Sequence, residues 1–145
     1  MKRRTVLSLV LLTAAFFALL FPRYQAPVSE ADRITAYEYA RSKGDVLPPY
    51  AFATDGCTLF PDRLPLHDLR AACVTHDIRY WLGGTTEERR EADLAFKDAI
   101  THTGPLGRPL SNLMFMSVRV FGDSALARLH NANWGFGYNK HEFPF

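Results

Sequence analysis

The chain has 145 residues and a mass of 16.4 kDa, which is enough for one domain with a single core. Hydrophobic residues make up 48% and charged residues 22%, so the composition excludes an intrinsically disordered protein. The formal net charge is +2, but four of the 17 basic residues lie in the first 26 positions, which contain no acid. Without those four, 13 basic residues face 15 acidic ones, and this balance excludes the basic surface of a nucleic-acid-binding protein.

The first 26 residues have the layout of an export segment. The basic run Lys2–Arg4 precedes residues 5–21, which are uncharged and apolar and stand at the lower edge of the length that spans a bilayer. We therefore expect residues 1–26 to be a cleaved signal peptide or, if retained, a membrane anchor through residues 5–21. Residues 27–145 would form the domain, exported across the inner membrane and periplasmic or secreted.

Capping residues and helix breakers predict an all-α domain. Ser29 with Asp32 has the spacing of a helix-initiating capping pair, and Thr85 with Glu88 has the same spacing. The predicted helices cover residues 30–42, 69–82, 86–102, 109–121 and, for a short helix, 124–130. Residues 46–66 contain four prolines and are predicted to form a long loop without regular structure. The two long central helices are joined by a few residues, so they should be antiparallel neighbours, with shorter accessory helices around them.

A histidine lies on the apolar face of the second predicted helix. His76 shares that face with Cys73 and Tyr80 at three- and four-residue steps, and Asp93 shares a stripe with Phe96 on the third helix. Antiparallel packing would let Asp93 face His76, so that the acid fixes the imidazole tautomer while the other ring nitrogen accepts a proton. The alternatives are a core histidine with ordinary hydrogen bonds and a solvent-facing carboxylate.

Oxygen ligands are predicted around Asp55 and Asp77. An exported domain meets oxidising conditions, in which Cys57 and Cys73 can pair, although two buried thiols are an alternative. If they pair, Asp55 is drawn to about one turn before His76 and lies near Asp77. Two carboxylates and loop carbonyls would make a hard-oxygen site suited to Ca²⁺. The other interpretation is that Asp55 only caps a turn.

Three motifs together resemble a known family. The segment Cys73–Tyr80 resembles the C-x-x-H-D-x-x-Y active-site helix of secreted phospholipases A2. Thr54–Cys57, with Pro61-Asp62 beyond it, is similar to the calcium loop of the short prokaryotic and fungal branch of that family. Glu91–Phe96 resembles the part of the family's second long helix that holds the partner aspartate, and the three motifs follow in the family's order.

The resemblance implies Ca²⁺-dependent hydrolysis of the sn-2 ester of a glycerophospholipid at a membrane surface. His76 would activate the attacking water, Asp93 would hold the other imidazole nitrogen, and Tyr80 would orient Asp93 through a hydrogen bond. These are the catalytic residues that the resemblance implies; it implies no protein partner.

The resemblance also implies a calcium loop that a disulfide ties to the active-site helix. Asp55 and Asp77 would supply carboxylates to Ca²⁺, and Gly56 would supply a backbone carbonyl. Cys57 and Cys73 would form the disulfide. The implied fold is two antiparallel long helices that carry the active site, with this loop beside them.

Other functions stay open at this stage. One is a catalytically weak calcium- and lipid-binding domain of the same fold. Another is an HD-type metal-dependent phosphohydrolase, in which His67, His76-Asp77 and Asp93 would be metal ligands. A third is a Zn²⁺ site formed by His76 with the two cysteines. The last is an anchored interaction domain whose aromatic tail contacts a partner.

Overall fold

A computed structural model describes residues 28–44, 47–58 and 60–122 of the chain. These residues form four helices and one two-stranded antiparallel sheet. In chain order the elements are α1 (Glu30–Ser42), β1 (Arg63–Leu64), β2 (His67–Asp68), α2 (Arg70–Leu82), α3 (Thr86–Thr101) and α4 (Gly107–Phe121). The prediction of a mainly helical fold is confirmed to this extent. The predicted export segment over residues 1–26, the short helix over 124–130 and the tail lie outside the described residues.

The capping pairs start two of the helices as predicted. Ser29 accepts a hydrogen bond from the Asp32 backbone N–H, and the Asp32 carboxylate accepts one from the Ser29 N–H. Thr85 and Glu88 make the same reciprocal pair at the start of α3. Each pair satisfies N–H groups that the first helical turn leaves without partners.

The segment predicted to lack regular structure ends in a small hairpin, so that prediction is wrong there. Arg63 pairs with Asp68, and Leu64 pairs with His67. The turn between the strands places Leu66 at a φ of 66°, a left-handed conformation that leucine rarely adopts. A two-residue ladder is too short to show the alternation of polar and apolar residues by which strands are predicted.

Two apolar clusters hold the helices together. The first joins α1 to α2 and consists of Ala36, Ala40, Phe52, Val74, Ile78, Trp81 and Leu82. The second joins α2, α3 and α4 to the preceding loop and consists of Cys57, Leu69, Cys73, Phe96, Ile100 and Met114. Tyr80, near the end of α2, contacts Arg89 near the start of α3. His76 lies one turn earlier in α2 and contacts Phe96, which lies later in α3, so the two helices are antiparallel as predicted.

A disulfide links the loop to α2. Cys57 and Cys73 are bonded, with their Cα atoms 5.1 Å apart, which confirms the predicted pairing. The bond holds Cys57, two residues after Asp55, against α2, the helix that also contains His76 and Asp77. No helix of the described ranges has both the length and the apolar character that a membrane span requires.

Candidate active site

The predicted contact between His76 and Asp93 is present. The imidazole Nε2 lies 2.9 Å from the Asp93 Oδ1, and Asp93 is fully buried, with an exposed fraction of 0%. An ionised carboxylate only accepts hydrogen bonds, so Nε2 carries the proton and Nδ1 keeps its lone pair. The rings of Tyr80 and Phe96 lie 4.2 and 4.5 Å from the imidazole, between centroids, and restrict its orientation. The arrangement can accept a proton at Nδ1.

The free nitrogen of His76 reaches the surface. Within the described residues Nδ1 has no hydrogen-bond partner, and no fully buried side-chain nitrogen or oxygen there lacks one. His76 lines an open groove of about 240 Å³ between α2 and α3. The other lining residues are Ala71, Ala72, Thr75, Arg79, Ala92, Ala95, Phe96 and Ala99. Small side chains on both helices therefore leave space for an apolar ligand beside His76.

Asp93 has two further hydrogen-bond donors. The Tyr80 hydroxyl donates to Oδ1 at 2.8 Å, which is the contact expected for Tyr80. Arg119, in the last turn of α4, donates from Nη1 to Oδ2, also at 2.8 Å. Sequence reasoning missed Arg119, because a basic residue near a helix C-terminus is common and its position against Asp93 depends on how α4 docks.

The electrostatics of the pair favour a neutral histidine beside an ionised aspartate. Burial lowers the pKa of His76 below its ordinary value of 6.5, although the hydrogen bond to Asp93 acts in the opposite direction. Burial alone would raise the pKa of Asp93, but hydrogen bonds from His76, Arg119 and Tyr80 outweigh it and lower that pKa. Burial and the charge of Asp93 raise the pKa of the Tyr80 hydroxyl, so Tyr80 remains a donor at neutral pH.

The loop before the disulfide folds against Asp77. The Gly56 backbone N–H donates to the Thr54 hydroxyl at 3.0 Å, and that hydroxyl donates to the Asp77 carboxylate. Asp55 accepts a hydrogen bond from Thr58 at 2.7 Å. Gly56 has a φ of 74°, and a side chain there would overlap a neighbouring carboxylate, so only glycine fits.

The carboxylates near Asp77 are short of positive charge. Burial raises the pKa of Asp77 well above 3.8, and the negative charges of Asp55 and Asp62 raise it further. Arg70 is the basic side chain that pairs with Asp62, at 3.4 Å, and it also pairs with Asp32. A bound cation would relieve this repulsion.

The donor chemistry fits Ca²⁺ if backbone oxygens complete the site. No group of three or more His, Cys, Asp and Glu side chains in the described ranges is gathered closely enough to form a metal site by itself. One oxygen of Asp55 and one of Asp77 accept no hydrogen bond from those ranges. Ca²⁺ accepts carboxylate, backbone carbonyl and water oxygens together, so two carboxylates with the Gly56 carbonyl suit it.

The structure disfavours two of the alternative metal sites. His67 is buried, its Nδ1 lies 3.1 Å from the Thr103 hydroxyl, and its Nε2 accepts the Leu106 backbone N–H at 3.4 Å. Both ring nitrogens are thus engaged between β2 and the loop before α4, which is the position of a structural histidine. The zinc interpretation is wrong, because Cys57 and Cys73 are joined in a disulfide and leave no thiolate ligand.

Comparisons with known proteins add no assignment. The chain matches no protein-family model, no characterised protein and no solved structure. The geometry of the site itself is therefore the basis for a functional proposal.

Proposed function

We propose that this protein is a Ca²⁺-dependent phospholipase A2-type hydrolase, which cleaves the sn-2 ester of glycerophospholipids at a membrane surface. The observation that carries the proposal is the buried His76–Asp93 pair: Nδ1 has no hydrogen-bond partner among the described residues, and His76 lines an apolar groove. A proton-accepting histidine that borders a space for an acyl chain suits the hydrolysis of a lipid ester.

The residues of the pair have separate tasks in this reaction. His76 Nδ1 would take a proton from a water molecule as that water attacks the ester carbonyl, and would later give the proton to the leaving alkoxide. Asp93 would keep Nε2 protonated and stabilise the imidazolium that forms. The Tyr80 hydroxyl donates to the Oδ1 atom that faces His76, and so holds the carboxylate in place.

The loop would supply the metal ligands. Asp55, Gly56 and Asp77 would hold Ca²⁺, and the bound ion would polarise the ester carbonyl and stabilise the negative charge that develops on its oxygen. Thr54 contributes by donating to Asp77, and the disulfide supports the loop beside α2. The disulfide also supports the proposed export of the domain into an oxidising compartment.

Fatty-acid release from phospholipid vesicles tests the proposal. Purified wild-type protein with its disulfide intact should release fatty acid in the presence of Ca²⁺ and none with excess chelator. The His76→Ala variant should be inactive in the presence of Ca²⁺. His102→Ala is the matched control, because His102 is exposed at the end of α3 and bonds to the Asp98 backbone carbonyl. Full activity in chelator would exclude the calcium mechanism.

A wild-type protein that binds vesicles in the presence of Ca²⁺ but releases no fatty acid would identify a lipid-binding domain instead. Equal activity of His76→Ala and wild type would exclude the proposed base. Release of an sn-1 rather than an sn-2 chain, measured with lipids that carry different chains at the two positions, would exclude the proposed regiospecificity.

A further inference from the structure

Asp93 accepts hydrogen bonds on both of its oxygens, and only one of the oxygens serves the histidine. Oδ1 receives His76 and Tyr80, at 2.9 and 2.8 Å. Oδ2 receives Arg119 at 2.8 Å. The carboxylate is fully buried, whereas the Arg119 side chain is 32% exposed, so the arginine enters the site from its rim.

Arg119 removes a freedom that the carboxylate would otherwise have. The terminal torsion of an aspartate is broad, so the plane of its carboxylate can turn when the donors on one side are lost. With Arg119 absent, Oδ2 would be a buried anionic oxygen without a donor from the described residues, and the carboxylate would turn to divide the donors His76 and Tyr80 between its two oxygens, which weakens the hydrogen bond from Nε2. With Arg119 present, each oxygen has its own donors and the plane of the carboxylate is fixed.

The backbone at Arg119 is itself fixed to the same pair of helices. The guanidinium of Arg89, on α3, donates to the backbone carbonyls of Val118 and Arg119 at 3.2 and 3.5 Å. The Nε of Arg89 donates to the Tyr80 hydroxyl at 3.3 Å. Arg89 thereby links the end of α4 to Tyr80, one of the side chains that donate to Asp93.

We propose that Arg119 is a positioning residue of the hydrolysis, which fixes the Asp93 carboxylate so that Oδ1 keeps Nε2 protonated and Nδ1 free. The inference rests on the proposed function for its effect on turnover. Its effect on the geometry of the pair does not depend on that function. The contact is made to Asp93 and not to substrate, so its loss should change kcat and leave KM within about threefold.

Two substitutions separate positioning from simple stabilisation. Arg119→Met keeps much of the apolar length but removes both charge and donors, and we expect kcat to fall by about 10–100-fold. Arg119→Lys keeps the charge and one donor, and kcat should recover to an intermediate value. Arg90→Met is the matched control on α3, because Arg90 is 57% exposed and pairs only with Glu87 among the described residues.

The second measurement requires no turnover. Nitrogen-15 chemical shifts of the His76 ring, recorded without Ca²⁺, should show a protonated Nε2 in wild type and in Arg90→Met. In Arg119→Met they should move toward a mixture of the two tautomers, and Arg119→Lys should lie between. Unchanged His76 shifts together with a kcat within twofold of wild type in Arg119→Met would overturn the proposal.

The two measurements keep the failures distinguishable. If wild-type protein releases no fatty acid, the proposed function fails, and the ring shifts alone then support or overturn the role of Arg119. If Arg119→Met does not fold, Arg119→Lys decides: wild-type kcat and wild-type shifts would overturn the proposal, and intermediate values would support it.

Discussion

Replacing Asp93 by asparagine should disable the site through the tautomer of His76. The wild-type carboxylate accepts from three donors, two on Oδ1 and one on Oδ2. An amide has one oxygen and one NH₂ group, so the side chain of the Asp93→Asn variant cannot accept on both sides. Its NH₂ must face either Arg119 or the side shared by His76 and Tyr80.

Either orientation has a definite cost. With NH₂ toward Arg119, two donors oppose each other and a charge-assisted hydrogen bond is lost, which costs about 1.5–3 kcal/mol of stability. With NH₂ toward His76, the ring must accept at Nε2 and therefore carries its proton on Nδ1, where the proposed base has to be unprotonated. We expect kcat to fall by about 10²–10⁴-fold, which corresponds to about 3–5 kcal/mol of transition-state stabilisation.

Initial rates of fatty-acid release at saturating vesicle concentration measure this loss, and a thermal unfolding curve checks that the variant is folded. Asp98→Asn is the matched control, since Asp98 lies on the same helix and its side chain is 79% exposed. The reasoning would be refuted if Asp93→Asn were folded and kept more than about a third of the wild-type kcat.

Replacing Cys57 and Cys73 together by alanine should lower the free energy of unfolding by about 3 kcal/mol, because the bond closes a loop of 16 residues; a loss below about 1 kcal/mol in denaturant unfolding would contradict this. Asp77→Asn should abolish Ca²⁺-dependent hydrolysis. Without Ca²⁺, burial and neighbouring acids raise the pKa of Asp77, so the folded protein loses stability as pH rises through that pKa. Asp77→Asn should therefore melt no lower than wild type in chelator at pH 7, and a lower melting temperature would contradict the argument that the Asp77 charge is destabilising. His67→Ala should cost about 1–3 kcal/mol of stability but keep hydrolysis at 25 °C, whereas an equal loss of activity in His67→Ala and His76→Ala would favour the phosphohydrolase alternative.

Much of the helical framework could be predicted, because local chemistry sets it. Reciprocal capping pairs are visible in the sequence at Ser29 and Thr85, and both start helices. The contact between His76 and Asp93 was also predictable from nearby sequence, because a short connection makes the two helices antiparallel neighbours and both residues lie on apolar faces.

The features that escaped prediction depend on distant residues. Arg119 reaches Asp93 from 26 residues away, through the docking of a helix whose sequence alone gives no angle. The burial of His67 depends on Thr103 and on a backbone N–H in the loop before α4, and neither belongs to a motif. Tertiary contacts of this kind have no periodic signature in the sequence.

The candidate site is built from contacts between neighbouring stretches of chain, and this has a consequence for the order of folding. Asp93 lies 13, 17 and 26 residues from its three partners, Tyr80, His76 and Arg119, whereas the ion pair that ties α1 to α2, Asp32 with Arg70, spans 38. The entropy lost in closing a loop grows with its length, and proteins dominated by local contacts fold fast. The three-helix unit that carries the His76–Asp93 pair should therefore assemble before α1 docks, and amide hydrogens of α2, α3 and α4 should be protected from exchange earlier than those of α1 during refolding.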